Sequence, residues 1–144
     1  MTVRRKKIVL VADDKRAVRS YIRAIIENSF SDYDLEIFTA PSSDTALRII
    51  EQLSGNIDLV STNINRPGMD GIMFIHFVRS KYPHIKVLIC SGSIRTDDLR
   101  SMFNAGLADA YIRKPIRERD YVNAVRNLFE SQKVVRLNFQ GGGK

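Results

Sequence analysis

The chain has 144 residues, 44% of them hydrophobic and 27% charged, which suits one globular domain whose core needs no disulfide or metal staple. Its formal charge of +7 raises nucleic acid, an anionic membrane surface or an acidic protein as partners. The basic residues form one block, Arg4-Arg5-Lys6-Lys7, and are otherwise scattered, so solvated surface plus a basic tail is the plainer account.

No apolar run is long enough to span a bilayer, and residues 1–7 lack the pattern of a secretory leader. Cys90 is the one cysteine. It sits in the apolar run Val87-Leu88-Ile89-Cys90, which predicts a buried thiol in a reducing cytoplasm.

In chain order, Ile8 to Ala12 is a short, β-branched apolar run that stops at Asp13-Asp14, the pattern of a buried strand with a polar edge. Val18, Tyr21, Ile22, Ile25 and Ile26 then recur at helical spacing, with Arg16, Arg19 and Arg23 on the opposite side. Leu35 to Thr39 is a second strand. Pro41-Ser42-Ser43 opens a helix carrying Ala46, Leu47, Ile49, Ile50 and Leu53. Ile57 to Thr62 is a third strand, and Pro67-Gly68 signals a turn. Asp70 is the expected N-cap of a helix through about Lys81, in which Ile72, Phe74, Ile75 and Val78 take core positions. Met73, His76 and Phe77 fall on its outer side, either as a partner-binding patch or as partly covered surface. Ile85 to Cys90 is a fourth strand. A helix from Thr96 or Asp97 ends near Gly106. Ala110 to Ile112 is a fifth strand, and Ile116 to Glu130 a fifth helix. Val135, Leu137 and Phe139 alternate weakly enough to suggest a short added strand, before the flexible Gly141-Gly142-Gly143, a linker stub or appended residues.

Five strands alternating with five helices imply a parallel sheet covered on both faces. Chemistry in such folds gathers beyond the carboxyl ends of the strands. Those ends deliver Asp13 and Asp14, Asn63, Ser91, and Lys114-Pro115. Two adjacent acids suit a hard cation such as Mg²⁺. A hydroxyl and an ammonium suit phosphoryl oxygens. Singly, each has a plainer reading: the acids as a helix cap, Ser91-Gly92 and Asn63 as turn residues, Lys114-Pro115 as an ordinary loop. Their joint placement at successive strand ends is what points to a site.

The segments Ile8 to Asp14, Asp58 to Gly71, Val87 to Gly92 and Ala110 to Pro115 resemble, in order and separation, the response-regulator receiver domain of two-component signalling. The likeness runs from about Lys7 to Glu130. It implies a three-layer α/β/α sandwich of flavodoxin-like order over residues 8–130, with a basic tail at 1–7 and an extension at 131–144. It implies a signalling module rather than an enzyme. A flavin-type enzyme is further disfavoured because no glycine-rich phosphate loop follows the first strand.

By the same resemblance, Asp14 is the direct Mg²⁺ carboxylate and Asp13 acts mainly through water. Asn65 lends a backbone carbonyl to the metal. Ser91 and Lys114 each bond a phosphoryl oxygen. Tyr111 is the aromatic that rotates on activation, and Lys114-Pro115 is a cis peptide. The family accepts phosphate on an aspartate from a histidine kinase or phosphotransfer protein and passes the signal to an output partner. A weak homodimer is open, though Ala110 stands where one large subfamily has an acid in its dimer contacts. No specific nucleic-acid binding follows, since the charge is dispersed and no reading helix is apparent.

Asn63 departs from the pattern, because it stands where the phosphate-accepting aspartate belongs. A neutral amide is a far poorer nucleophile than a carboxylate, and its oxygen still suits a metal. Two origins compete: a natural pseudo-receiver that signals without phosphate, and a substitution engineered into an ordinary receiver. Retention of Asp13, Asp14, Ser91, Tyr111 and Lys114 leans towards the second. Smaller departures are Lys15 beside the acids and Arg66 in a loop position that is often apolar.

Overall fold

The computed structural model describes residues 3–64, 71–92 and 94–131. The expectations for Asn65, Arg66, Pro67-Gly68, the Asp70 cap and a strand through Val135, Leu137 and Phe139 lie outside them.

Within the described residues five strands and five helices alternate: β1 (Arg5–Ala12), α1 (Arg16–Ser29), β2 (Tyr33–Ala40), α2 (Ser43–Gln52), β3 (Leu59–Thr62), α3 (Gly71–Lys81), β4 (Lys86–Ser91), α4 (Thr96–Asn104), β5 (Ala110–Arg113) and α5 (Glu118–Glu130). All pairings are parallel, in the order β2-β1-β3-β4-β5. The central strands β3 and β4 and the second half of β1 are buried at nearly every position because both faces are covered, whereas the edge strands β2 and β5 are only partly buried. Val9, Val11, Leu59, Leu88 and Cys90 pack with α1 and α5, while Leu10, Val60, Val87 and Ile89 pack with α2, α3 and α4. Each such side chain contributes about 1.5–3 kcal/mol when fully buried.

Local chemistry sets the ends. Ser42, in extended backbone, accepts the Thr45 N–H at 3.2 Å and starts α2, a cap whose loss costs about 1 kcal/mol. Gly106 has φ +74°. This left-handed residue lets the Leu107 N–H reach the Met102 carbonyl at 2.9 Å and closes the end of α4. Gly71 is required by proximity, since a Cβ there would lie 2.5 Å from the Cα of Ile64. Its absence lets α3 begin directly against the chain that leaves β3.

Two apolar assignments fail. Ile72 is 42% exposed, because Phe74, Ile75 and Val78 already fill the buried arc of α3 and one more position lies beyond it. Tyr21 is 46% exposed. Its ring runs along the surface so that the hydroxyl can donate to the Ile116 carbonyl at 3.2 Å.

The chain leaves β1 outward to β2 and returns across β1 to β3. The order therefore reverses at β1 and β3, which opens a crevice at their carboxyl ends.

Candidate functional site

Asp13 follows the last residue of β1 and is 1% exposed. Its N–H donates to the Ala40 carbonyl at 3.1 Å. One carboxylate oxygen, Oδ1, accepts the Lys15 N–H at 2.8 Å, and Oδ2 accepts from Lys114 Nζ at 2.8 Å. A buried carboxylate is tolerated only when bonded in this way. Asp13 therefore braces the start of the α1 loop, but it is not the helix cap. Lys15 occupies that position and makes no side-chain cap bond. Asp14 is exposed at the same edge.

Asn63, just past β3, is 5% exposed. Its N–H donates to the Ala12 carbonyl at 3.1 Å, which holds it beside the residue that precedes Asp13. Ser91 ends β4 and is fully buried. Its carbonyl accepts from Tyr111 Oη at 3.2 Å and from the Lys114 N–H at 3.0 Å. Its own hydroxyl has no hydrogen-bond partner among the described residues, a deficit that costs about 1–3 kcal/mol. Such a group is ready for an acceptor. Lys114 follows β5, and the Lys114–Pro115 bond is cis. The ammonium crosses to Asp13 with its side chain one-fifth exposed. Asp13, Ser91, Tyr111 and Lys114 are thus linked by hydrogen bonds at one edge, Asn63 is held near them through the Ala12 carbonyl, and Asn65 is outside the described residues.

Two contributors escaped the sequence. Arg19 donates to the Asp13 carbonyl at 2.9 Å, although its spacing put it on the solvent side of α1. One helical turn back from it is Lys15, and that spacing was the available clue. Thr62 Oγ1 donates to the Asn63 carbonyl at 3.1 Å and fixes the residue from below.

Cys90 is no second nucleophile. Burial pushes its thiol up to about 12, so it stays protonated at neutral pH. Its Sγ lies 3.7 Å from Ser61 Oγ.

Among the described residues, no group of three His, Cys, Asp or Glu side chains could hold a metal. The donors at the edge are oxygens: the carboxylates of Asp13 and Asp14 and the amide of Asn63. This chemistry fits a hard cation that keeps several waters, and does not suit a soft metal.

The comparisons identify the family and the fold. The family model described as response regulator receiver domain matches residues 9–126. The chemotaxis protein CheY of Pseudomonas aeruginosa is 31% identical over 85% of this chain and 95% of its own length. A solved CheY-like receiver domain from Methanospirillum hungatei is 30% identical with a TM-score of 0.72, covering 86% of this chain and 94% of that one. One from Clostridium thermocellum is 29% identical with a TM-score of 0.75, covering 85% and 93%. The chain spans a quarter or less of the length of the first curated relatives it matches. With the fold, the strand-end residues and the match over 9–126 together, the chain belongs to the response regulator receiver domain family.

Proposed function

We infer that this chain is a phosphorelay receiver whose acceptor step is disabled at residue 63. The observation that carries the reading is a buried amide, Asn63, at the end of β3. It shares its edge with the Asp13–Lys114 pair and the Ser91 hydroxyl, which has no partner among the described residues.

With aspartate at 63, the carboxylate oxygen would attack the phosphorus of a phosphohistidine on a kinase or phosphotransfer protein. The new P–O bond forms as the P–N bond breaks, and imidazole leaves with the electron pair. The lysine ammonium and the serine hydroxyl then stabilise charge on the transferred oxygens. Mg²⁺, when bound, would neutralise the phosphoryl charge, held by Asp14, the residue 63 oxygen and the Asn65 carbonyl, with Asp13 acting through water. Tyr111 would carry the change outward by rotating from the Ser91 carbonyl to signal an output partner. A cytoplasmic setting fits a thiol kept reduced.

The second reading is a natural pseudo-receiver acting through protein contacts alone. The Asp13–Lys114 bond favours it, because that bond holds the pocket's shape without phosphate. The codon for residue 63 in the source genome separates the two.

Acetyl phosphate with Mg²⁺ tests the chemistry. Intact-mass spectrometry should find no phosphoryl adduct on the chain as it stands and an adduct of one phosphoryl group on Asn63→Asp. An adduct on the Asn63 chain, or none on Asn63→Asp, overturns the reading.

A further inference from the structure

Among the described residues, the exposed large hydrophobic side chains are Val3, Tyr21, Ile72, Met73 and Phe77. Val3 belongs to the tail, and Tyr21 is tied through its hydroxyl to Ile116. The other three share one helix. Met73 is 71% exposed and Phe77, one turn later, is 37% exposed, with His76 exposed between them. The opposite arc, Phe74, Ile75 and Val78, is already in the core. A helix that is apolar on both sides is expected to be covered on both. Here Met73 and Phe77 on the outer side stay exposed among the described residues.

The shape and charge of the strip indicate what does. It runs along an 11-residue helix, about 16 Å long, the footprint of a second helix laid beside it. The charged residues of α3 are Arg79 and Lys81, and it has no acidic residue. Lys81 Nζ lies 5.7 Å from the centroid of the Phe77 ring and 5.6 Å from that of Tyr82, so a cation borders the apolar strip. A second copy of the chain is a poor occupant. Each copy carries a formal +7, so two repel at long range.

We propose that the outer face of α3 docks an acidic amphipathic helix of a partner protein, with its apolar stripe against Met73 and Phe77 and its carboxylates towards Lys81. The proposal does not depend on whether residue 63 takes phosphate.

The test uses the full chain and three synthetic helical peptides: one with a leucine stripe flanked by glutamate, the same stripe flanked by lysine, and the glutamate frame with serine in the stripe. Amide chemical shifts should move at residues 72–81 with the first peptide. Affinity should be at least tenfold weaker for either of the others. Met73→Glu, on the surface, should weaken the first peptide by about tenfold without changing the thermal midpoint; Phe77→Ser, whose ring is only 37% exposed, should weaken it by about tenfold while also lowering the midpoint. Lys81→Glu should weaken it by a smaller factor. Sedimentation should show a monomer at about 100 µM. Shifts centred on another helix, equal affinity for the lysine-flanked peptide, no binding at all, or a dimer dissolved by Met73→Glu would each overturn the proposal.

Discussion

The two ends of the sheet each hold a partly buried ion pair, and they use it differently. At the amino end, Arg79 donates to the carbonyls of Pro83 and Ile85 at 3.0 Å and to Asp109 Oδ2 at 2.7 Å. That same oxygen accepts the Val87 N–H at 2.8 Å, and Asp58 likewise accepts the Ile8 N–H at 2.8 Å. The acids there accept N–H groups of β1 and β4 that would otherwise lack a partner. At the carboxyl end, Asp13 is bonded to Lys114 and to Lys15. Beside them, Asp14 is exposed and the Ser91 hydroxyl has no partner among the described residues. The amino end is largely closed by its own bonds, although Arg79 Nε is buried without a partner among the described residues. The carboxyl end adds an exposed carboxylate beside its partner-lacking hydroxyl, which is the basis for proposing it as the end that meets a ligand.

The comparison breaks first at the amino end. Asp109→Ala should lower the free energy of unfolding by about 3 kcal/mol, because it leaves the partly buried Arg79 guanidinium without its counter-charge and the Val87 N–H without an acceptor. Urea denaturation measures this, and a loss under about 0.5 kcal/mol would mean that the amino-end network is ornamental.

The next effect concerns the core beneath the carboxyl end. The Cys90 thiol, ordinarily near 9.0, is raised by burial to about 12. Between those values the unfolded chain loses the thiol proton while the folded chain keeps it. The thiol's share of stability is therefore intact below pH 9.0 and falls as pH rises, by up to about 1.4 kcal/mol per unit. Cys90→Ala should flatten that part of the stability–pH curve. An unchanged slope would contradict the buried, neutral thiol.

The smallest effect is the sharpest contrast with Asp109. Ser91→Ala removes a buried hydroxyl with no partner among the described residues, so stability should stay level or rise by about 1 kcal/mol. A loss above 1 kcal/mol would show that the hydroxyl is already bonded within the fold.

Much of this contrast was legible in the sequence, for physical reasons that can be named. The run Ile8 to Ala12 is apolar at every position because β1 is covered on both faces, and that same uniformity made its end at Asp13 conspicuous. Since a parallel sheet carries its chemistry at strand ends, Asp13, Asn63, Ser91 and Lys114 could be picked out by position alone. The amino end was not legible. Arg79 and Asp109 are 30 residues apart and belong to no local pattern, and an acid that caps another strand's N–H looks like any loop aspartate. Nor could periodicity locate Ile72. Spacing says which residues share a face, but only packing says where the buried arc stops. Lys15 and Arg19 show the same limit: both read as solvated, yet a backbone amide and a guanidinium from them hold Asp13 in place.

A Mg²⁺ titration followed by amide chemical shifts tests most directly which end is the functional one. Saturable shifts should centre on Asp13, Asp14 and Asn63. Affinity should rank Asn63→Asp first, this chain second and Asp14→Ala a distant third, since each step removes a carboxylate from the cation's surroundings. If Asp14→Ala binds Mg²⁺ as tightly as this chain, or if the shifts centre on Asp58 and Asp109, the assignment of the carboxyl edge as the site is wrong.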